Sequence, residues 1–269
     1  GATGFLGQPV VEKILLSVPS VRRIYVLIRD KRQLGGKTIA ARERLERELF
    51  QSSVFDRLRS VKGEGFGAFL EERVVAVPGD ITLDGFGLET EDLVRLHKEV
   101  DIVINSAALV SFDAPLDAAV EMNIHSASRI AAFAKDCKCE ALVHISTAYV
   151  SGATRAAVPE TLYHKTRDLS KQYPLRQFTN TNKEIKHLES IIKRTQEEGC
   201  SSEVNRQLKE ALVKASRPPR GGRKKRRPEK IENLREKWVK ARLVEKGMLW
   251  AKERGWNDTY TYTKALGEQ

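Results

Sequence analysis

Apolar and polar positions follow two different periods along residues 8–147 of this 269-residue chain. Short, almost continuous apolar runs are typical of strands buried on both faces, whereas an apolar residue at every third or fourth position predicts a helix. Strands that alternate with helices in this way form a parallel, doubly wound α/β sheet. We therefore predict a Rossmann fold for this part of the chain. The predicted strands are 23–28, 73–77, 101–105 and 141–146, and the predicted helices are 8–17, 39–50, 89–98 and 115–135.

The chain opens with a glycine-rich loop, because residues 1–7 read G-A-T-G-F-L-G and lead directly into the first predicted helix. Glycines let the backbone approach a phosphate closely, and the N-terminus of a helix adds N–H groups and a partial positive charge. Such a loop normally follows a strand, which here has to precede Gly1. We therefore expect the sequence to be a fragment that lacks the first strand of its sheet. Taken alone, the three glycines fit a plain turn equally well.

The alternation of strands and helices stops over residues 153–255, a polar stretch rich in Lys, Arg and Glu. The spacing of apolar residues within it predicts three helices, at 182–194, 205–215 and 230–254. Between the second and the third, residues 217–227 contain two prolines and two adjacent glycines, which predicts a disordered loop. We interpret this stretch as a helical insertion into the sheet domain. The resulting division is 1–152 for the dinucleotide-binding Rossmann region, 153–255 for the insertion and 256–269 for the start of a further helix of the Rossmann region.

The net charge of +11 is concentrated in one short segment that runs from Arg217 to Lys230. It contains eight Lys or Arg residues and one acidic residue, so that it alone contributes +7. A run of this kind attracts phosphates, which leaves a nucleic-acid-binding or membrane-surface module as an alternative of another functional class. No aromatic residues are interleaved with these charges, so we expect no nucleic-acid partner. We expect the segment to attract an anionic substrate, an acidic carrier protein or the anionic headgroups of a membrane surface.

Composition and cysteine content bound the compartment and the kind of site. The sequence is 41% hydrophobic but has no run of about 20 apolar residues, so no transmembrane helix is predicted. The three cysteines, Cys137, Cys139 and Cys200, form an odd and sparse set, which favours a reducing compartment and therefore a cytoplasmic protein. Cys137 and Cys139 have no second pair of ligands to match them, so no metal site is predicted.

Residues at the ends of the predicted strands are candidates for holding a nucleotide, because ligands of doubly wound sheets bind beyond the carboxyl ends of the strands. Arg29 follows the strand 23–28, and an arginine at this distance from a glycine loop suits the 2′-phosphate of NADPH rather than the ribose hydroxyl of NADH. Asp80 is placed to accept a hydrogen bond from the adenine amino group, and Ile81 is placed to pack against the adenine ring. Small residues after the next strand let the backbone pass close to the pyrophosphate and ribose. The predicted cofactor-binding residues are Gly1, Thr3, Gly4, Phe5, Leu6, Gly7, Arg29, Asp80, Ile81, Asn105, Ala107, Ala108, Tyr260 and Lys264.

A Tyr-x-x-x-Lys pattern near the end of the chain supplies candidate catalytic groups. Tyr260 and Lys264 lie four positions apart, which places them on one face of a helix. A nearby ammonium lowers the pKa of a phenol from its usual value of about 10, so that the phenol can donate a proton to a carbonyl oxygen as hydride arrives. Thr147, or Ser146 as second choice, would hold that oxygen by a further hydrogen bond. Asn123, an amide inside the predicted helix 115–135, is also expected to have a hydrogen-bonding role.

Together these motifs resemble the extended short-chain dehydrogenase/reductase superfamily, and within it the fatty acyl-CoA reductases of the bacterial, alcohol-forming type. The finer resemblance is carried by four stretches, at 1–7, 24–29, 53–59 and 256–269. It implies NADPH-dependent reduction of a long-chain acyl-CoA, or of an acyl thioester on an acyl carrier protein, to a fatty aldehyde or a fatty alcohol. It does not fix the product, the acyl chain length or the oligomeric state.

The resemblance also implies roles for single residues. Tyr260 is the proton donor, Lys264 tunes it and anchors the ribose, and the Thr147 hydroxyl orients the carbonyl oxygen. An alternative within the same superfamily is an enzyme that acts on a nucleotide sugar with the same three groups. The stretch Phe-Asp-Arg-Leu at 55–58 and the length of the insertion count against that alternative.

Overall fold

The described part of the chain forms two compact units in the computed structural model. The sheet unit consists of Gly1–Ala108 and His125–Ser146, and the helical unit consists of Leu109–Ile124 and Thr147–Gln269. The residues described are 1–33, 36–154, 157–158, 180–216 and 230–269. The loop predicted at 217–227 lies outside these residues, and the domain boundaries predicted at 152 and 255 stay predictions.

The elements alternate along the sheet unit and become helical afterwards. The strands are β1 (Ile24–Ile28), β2 (Lys31–Arg32), β3 (Thr38–Ile39), β4 (Val74–Pro78), β5 (Ile102–Asn105) and β6 (Ala141–His144). The helices are α1 (Gly7–Ser17), α2 (Ala41–Arg44), α3 (Asp56–Lys62), α4 (Phe66–Arg73), α5 (Thr90–Glu99), α6 (Leu116–Val120), α7 (Ser126–Asp136), α8 (Thr181–Gly199), α9 (Ser202–Ser216), α10 (Ile231–Glu253) and α11 (Thr259–Gly267). Among the residues that the structure describes, no helix is both long enough and apolar enough to cross a membrane.

Two parallel strand pairs form the framework of the sheet unit. β1 pairs with β4 and β5 pairs with β6, and all four strands lie where the apolar runs predicted them. Ile28 is opposite Pro78 and Asn105 is opposite His144, so the carboxyl ends of paired strands are level. A short antiparallel pair, β2 with β3, adds a hairpin that the sequence pattern does not predict. The predicted α/β fold with parallel strands is confirmed.

The core of the sheet unit lies between β1, β4 and the helices beside them. Val26 and Ile28 of β1 and Val74 of β4 are at most 6% exposed, and they pack with apolar residues of α1, α3 and α4. The apolar run 23–28 therefore indicates burial correctly. The remaining members of this core cluster are Val11, Ala41, Leu45, Leu49, Phe55, Leu58 and Leu70.

The prediction that every strand is buried on both faces is wrong for β5 and β6. Ile102 and Ile104 of β5, and Leu142 and Val143 of β6, are between 39% and 52% exposed. The helix α7 packs against both strands. Two strands and one helix form too thin a layer to cover both faces of the pair, which accounts for the exposure.

The helical unit confirms the three helices predicted for the stretch after residue 153. α8, α9 and α10 correspond to the predictions at 182–194, 205–215 and 230–254, and each extends at most five residues beyond the predicted bounds. α6, α8, α10 and α11 share one core. Its members are Leu116, Val120, Ile124, Leu188, Leu243, Ala251, Trp256, Tyr262, Ala265 and Leu266.

Candidate active site

The glycine loop of the sheet unit folds back on itself so tightly that side chains do not fit. The Gly4 N–H donates to the Gly1 carbonyl at 3.0 Å. A Cβ on Gly7 would overlap the Gly1 carbonyl oxygen and would lie 2.6 Å from the Ala2 Cα, and a Cβ on Gly1 would overlap the backbone of Ser106. Two of the three glycines are therefore required by close backbone approach. This is the packing that a phosphate cradle needs at the start of a helix.

Gln8, which the sequence pattern does not single out, holds this loop in place through side-chain hydrogen bonds. Its Nε2 donates to the Thr3 carbonyl at 2.9 Å and to the Glu48 carbonyl at 3.2 Å. Its Oε1 accepts from the Ser52 hydroxyl at 2.6 Å. Glu48 and Ser52 lie 40 and 44 positions further along the chain, so no local sequence signal could have revealed these two contacts. The predicted loop residue Phe5 is 98% exposed, whereas Thr3 is half-buried.

Arg29 and Asp80 meet at the carboxyl ends of the paired strands β1 and β4. The guanidinium lies 3.4 Å from the Asp80 carboxylate. The Thr82 N–H and hydroxyl donate to the same carboxylate at 2.9 and 2.8 Å. Burial raises the pKa of Asp80, but these hydrogen bonds together with the charge of Arg29 outweigh it and lower the pKa below its ordinary value. Asp80 is therefore a carboxylate at neutral pH, next to the half-buried Ile81.

The residues after β5 and β6 form a second group at the carboxyl ends of the strands. Asn105 is 5% exposed, its Oδ1 accepts from the Ala107 N–H at 3.1 Å, and its Nδ2 lies 3.0 Å from His144 Nδ1. The amide thus shapes the backbone that leads to the half-buried Ala107 and Ala108. Ser146 follows β6, and its buried Oγ has no hydrogen-bond partner among the described residues. A buried hydroxyl without a partner suits a polar ligand atom.

Tyr260 and Lys264 lie in the first two turns of α11, as the sequence predicts. The Asp258 carboxylate caps the helix by accepting from the Thr261 N–H at 2.8 Å. Tyr260 is half-buried, and its ring meets the Phe112 ring edge to face at 5.8 Å. Lys264 is only 1% exposed, and burial lowers its pKa while the Glu268 carboxylate opposes that shift. A charge so far removed from water acts strongly on its neighbours.

The neighbouring Tyr262 is excluded as the proton donor by its surroundings. It is 0% exposed. Its hydroxyl donates to Glu184 and accepts from Trp250 Nε1 at 3.1 Å. Burial, followed by the Glu184 carboxylate, raises the pKa of this phenol well above its ordinary value. Of the two tyrosines of this helix, Tyr260 is the one that is partly exposed.

Thr147 lies in the helical unit together with Tyr260 and Lys264. It caps the short 3-10 helix Ala148–Ser151, and its Oγ1 accepts from the Tyr149 N–H at 3.4 Å. That 3-10 helix packs against α11. Because Oγ1 is the acceptor in this contact, the hydroxyl proton can still be donated to another oxygen. Ser146, the second choice for this role, belongs to the sheet unit.

Asn123 has the hydrogen-bonding role that its position suggested. It is 2% exposed, and its Nδ2 donates to the Leu109 carbonyl at 3.1 Å and to the Thr263 hydroxyl at 3.0 Å. Its Oδ1 accepts from the Leu109 N–H at 2.9 Å. One buried amide therefore ties the chain at residue 109 to the helix that carries Tyr260.

A cavity of about 240 Å³ opens beside the first turn of α11. Two exposed aromatic side chains, Phe112 and Tyr149, form part of its wall, and the Phe112 ring also contacts Tyr260. The cavity thus adjoins the candidate proton donor within the helical unit. Its other lining residues are Gly152, Asn257, Asp258 and Thr261.

Cys137 and Cys139 are half-buried thiols, whereas Cys200 is exposed. Cys137 Sγ contacts the Leu96 carbonyl at 3.8 Å, and Cys139 Sγ contacts the Val100 carbonyl at 3.5 Å. Burial raises the pKa of Cys137 to about 12 and raises that of Cys139. Both therefore stay protonated at neutral pH, and a protonated thiol is a poor nucleophile and metal ligand. Among the described residues, no cluster of His, Cys, Asp and Glu could hold a metal ion.

Comparison with known proteins places these residues in a family context. The profile of an NAD-binding family described as "Male sterility protein" matches residues 1–269. A probable fatty acyl-CoA reductase 5 of Arabidopsis thaliana is 33% identical, and an alcohol-forming fatty acyl-CoA reductase of Simmondsia chinensis is 32% identical. Each alignment covers 100% of this chain and 46% of the relative, so the chain spans about half the length of these proteins. The predicted kinship with fatty acyl-CoA reductases is confirmed.

Among solved structures, a terminal reductase domain from the myxalamid biosynthetic pathway is similar in part. It is 28% identical, with a TM-score of 0.46, over 58% of this chain and 35% of that one.

Proposed function

This chain belongs to the male sterility protein family, whose profile covers it from end to end, and from that premise we propose that the whole protein reduces a long-chain fatty acyl thioester with NADPH. The products are a fatty aldehyde, a fatty alcohol, or both in sequence. The observation that carries the proposal is the placement of Tyr260 and Lys264 on α11, with the competing Tyr262 buried and occupied. Relatives named as fatty acyl-CoA reductases support the choice of an acyl-CoA substrate.

The residues of the sheet unit fit a nicotinamide dinucleotide. Gly1 and Gly7 leave a cradle that a Cβ would fill, and the buried Ser146 Oγ is left for a polar ligand atom. In the proposed reaction, bound NADPH supplies the hydride that reaches the carbonyl carbon of the thioester. The chain's own residues would then bind and protonate the carbonyl oxygen.

The proposed proton transfer uses the groups of the helical unit. The Thr147 hydroxyl donates a hydrogen bond that holds the carbonyl oxygen, and the Tyr260 hydroxyl gives that oxygen its proton as the carbon is reduced. The ammonium of Lys264 stabilises the phenolate that this leaves behind. The resulting hemithioacetal loses the thiol of CoA and becomes an aldehyde. Reduction of the aldehyde to an alcohol would require a second molecule of NADPH for the hydride and a Tyr260 hydroxyl that has regained its proton from solvent.

Arg29 is the residue that we propose to select NADPH over NADH. Its side chain is 62% exposed, and a pair with Asp80 at 3.4 Å is screened by water at such exposure and contributes little. The guanidinium has five N–H donors, so further donors remain for a 2′-phosphate. Its position at the end of β1 is the one at which the ribose is bound in doubly wound sheets.

We expect Arg29→Ala to raise the KM for NADPH about tenfold or more, because one charge-assisted hydrogen bond contributes roughly 1.5–3 kcal/mol. The KM for NADH should stay within about twofold. The control is Arg23→Ala, which removes an arginine that pairs with Glu99 just before the other end of the same strand. Steady-state kinetics with both cofactors measure the effect. Equal changes for NADPH and NADH would contradict the role given to Arg29.

The cavity beside α11 is the place that we propose for the part of the acyl chain next to the thioester. Phe112 and Tyr149 line the cavity with aromatic rings, and the Phe112 ring contacts the Tyr260 ring. We expect Phe112→Ala to raise the KM for palmitoyl-CoA about fivefold, which corresponds to roughly 1 kcal/mol of lost apolar contact. The KM for NADPH should not change.

The matched control for Phe112→Ala is Val110→Ala. Val110 is 64% exposed, lies two residues away, and does not line the cavity. Initial rates against acyl-CoA concentration distinguish the two variants. Identical KM values for palmitoyl-CoA in wild type, Phe112→Ala and Val110→Ala would show that the cavity does not bind the acyl chain.

A substrate panel tests the proposed function itself. The whole protein should oxidise NADPH with palmitoyl-CoA and release free CoA, and it should ignore UDP- and dTDP-sugars. The opposite pattern would establish the nucleotide-sugar alternative. An acyl carrier protein as substrate donor and peripheral membrane contact from Arg217 to Lys230 rest on sequence charge, lie largely outside the described residues, and stay predictions.

A further inference from the structure

One buried carboxylate contacts side chains of α10, α11 and the residue that follows α10 within the helical unit. Glu184 of α8 is 9% exposed. It accepts a hydrogen bond from the Tyr262 hydroxyl of α11 and one from Trp250 Nε1 of α10 at 2.9 Å. It also pairs with Arg254, just beyond α10, at 2.9 and 3.0 Å. Sequence motifs single out none of these partners of Tyr262.

We infer that Glu184 is a positioning residue, which acts through Tyr262 to fix the rotation of α11 and thereby the direction in which Tyr260 and Lys264 point. This inference rests on the proposed function for what Tyr260 does. Successive helical residues are turned by about 100°, so Tyr262 faces away from the side shared by Tyr260 and Lys264. The Glu184 carboxylate therefore holds α11 on the face opposite to Tyr260 and Lys264.

The aromatic surroundings make the carboxylate a fixed point rather than a mobile side chain. The Trp250 ring is stacked on His187 with ring centres 4.3 Å apart, and the Arg254 guanidinium lies 4.6 Å from the Trp250 ring centre. The Trp250 Nε1 also donates to the Tyr262 hydroxyl at 3.1 Å. Glu184, Trp250 and Tyr262 thus form a closed triangle of hydrogen bonds. Such a network specifies one arrangement of the three helices.

Close backbone contact at the start of α11 gives the same helix a second fixed point. A Cβ on Gly247 of α10 would lie 2.8 Å from the Thr259 hydroxyl and 3.3 Å from the Leu116 Cβ. α10 therefore approaches the first residue of α11 more closely than a side chain permits. This contact limits translation of α11, and the hydrogen bonds of Tyr262 set its rotation together with the Asn123–Thr263 hydrogen bond.

The test compares Tyr262→Phe with Tyr25→Phe in the whole protein. Both remove a tyrosine hydroxyl that donates to a glutamate, but Tyr25 bonds to Glu99 at an exposed site of the sheet unit. Trp250→Phe is a second, milder variant, because it removes only the indole donor and keeps an aromatic ring. Turnover of palmitoyl-CoA is expressed per NADPH-binding site, so that loss of folded protein does not count.

We expect Tyr262→Phe to lower kcat about tenfold while both KM values stay within about twofold, since small misplacements of reacting groups cost far more in rate than in binding. The deuterium isotope effect on kcat with NADPH deuterated at the transferred position should rise, because the misaligned chemical step becomes slower. Trp250→Phe should show a smaller change in the same direction, and Tyr25→Phe should show none.

Wild-type values of kcat per site and of the isotope effect in both Tyr262→Phe and Trp250→Phe would overturn the role of Glu184. So would a fall in kcat per site with an unchanged isotope effect, because the slowed step would then not be the hydride transfer at which Tyr260 acts. A wild-type protein that does not turn over palmitoyl-CoA would instead contradict the proposed function.

Discussion

Tyr260→Phe is expected to lower kcat for palmitoyl-CoA reduction by about 10²–10⁴-fold, the range over which a positioned general acid contributes. The phenyl ring keeps the edge-to-face contact with Phe112 and fills the same space, so folding should be unaffected. NADPH binding, followed by fluorescence titration, should stay within about twofold of wild type. Removal of the hydroxyl thus separates proton donation from cofactor binding.

Tyr25→Phe serves as the control, since it deletes a tyrosine hydroxyl in β1 that has no part in the proposed reaction. It should turn over substrate at the wild-type rate. A Tyr260→Phe enzyme within about threefold of wild-type kcat would show that another group supplies the proton. Because Tyr262 is fully buried and bonded to Glu184, it is not available as a substitute.

Gly7→Ala is expected to weaken NADPH binding by at least about tenfold, or about 1.4 kcal/mol. The added methyl group would overlap the Gly1 carbonyl oxygen and press on the Ala2 Cα at 2.6 Å. Both obstacles are backbone atoms, which cannot turn aside as a flexible side chain could, so the loop has to open. Titration with NADPH measures the loss, and thermal unfolding shows that the remaining fold is intact.

The matched control for this substitution is Gly67→Ala in α4. A Cβ there meets nothing within 4 Å, so the change should leave cofactor binding unaltered and stabilise the helix by up to about 1 kcal/mol. If Gly7→Ala binds NADPH as tightly as Gly67→Ala does, the loop at residues 1–7 is a plain turn and not the cofactor cradle.

Local pattern predicted the larger elements because their signals are local. The apolar runs of β1 and β4, and the helical spacing in α8 and α10, are set by residues within one element. The sequence analysis predicts no element at α3 or α4, where the short helices are separated by Gly63 and Gly65. Gly63 ends α3, with a φ of 54°, but Gly67 causes no break in α4. The predicted helix 115–135 is interrupted by a π-helical segment, Glu121–His125, that hydrophobic spacing does not reveal.

The candidate site divides in the same way between local and distant interactions. The pairing of Tyr260 with Lys264 follows from spacing within one helix, and the ends of paired strands bring Arg29 to Asp80. By contrast, Glu184 meets Tyr262 across 78 positions of sequence. That contact depends on how α8 packs, which no motif encodes. Sequence thus identified the reacting groups that we propose, and the structure was needed to identify what holds them.

The transfer of deuterium from cofactor to product tests the proposed chemistry most directly. The whole protein is incubated with palmitoyl-CoA and NADPH deuterated at the transferred position, and the products are examined by mass spectrometry. The account predicts deuterium on C1 of the fatty aldehyde or alcohol, release of free CoA, and almost no labelled product from Tyr260→Phe. Consumption of the cofactor without label on C1, or equal labelling by Tyr260→Phe, would contradict it.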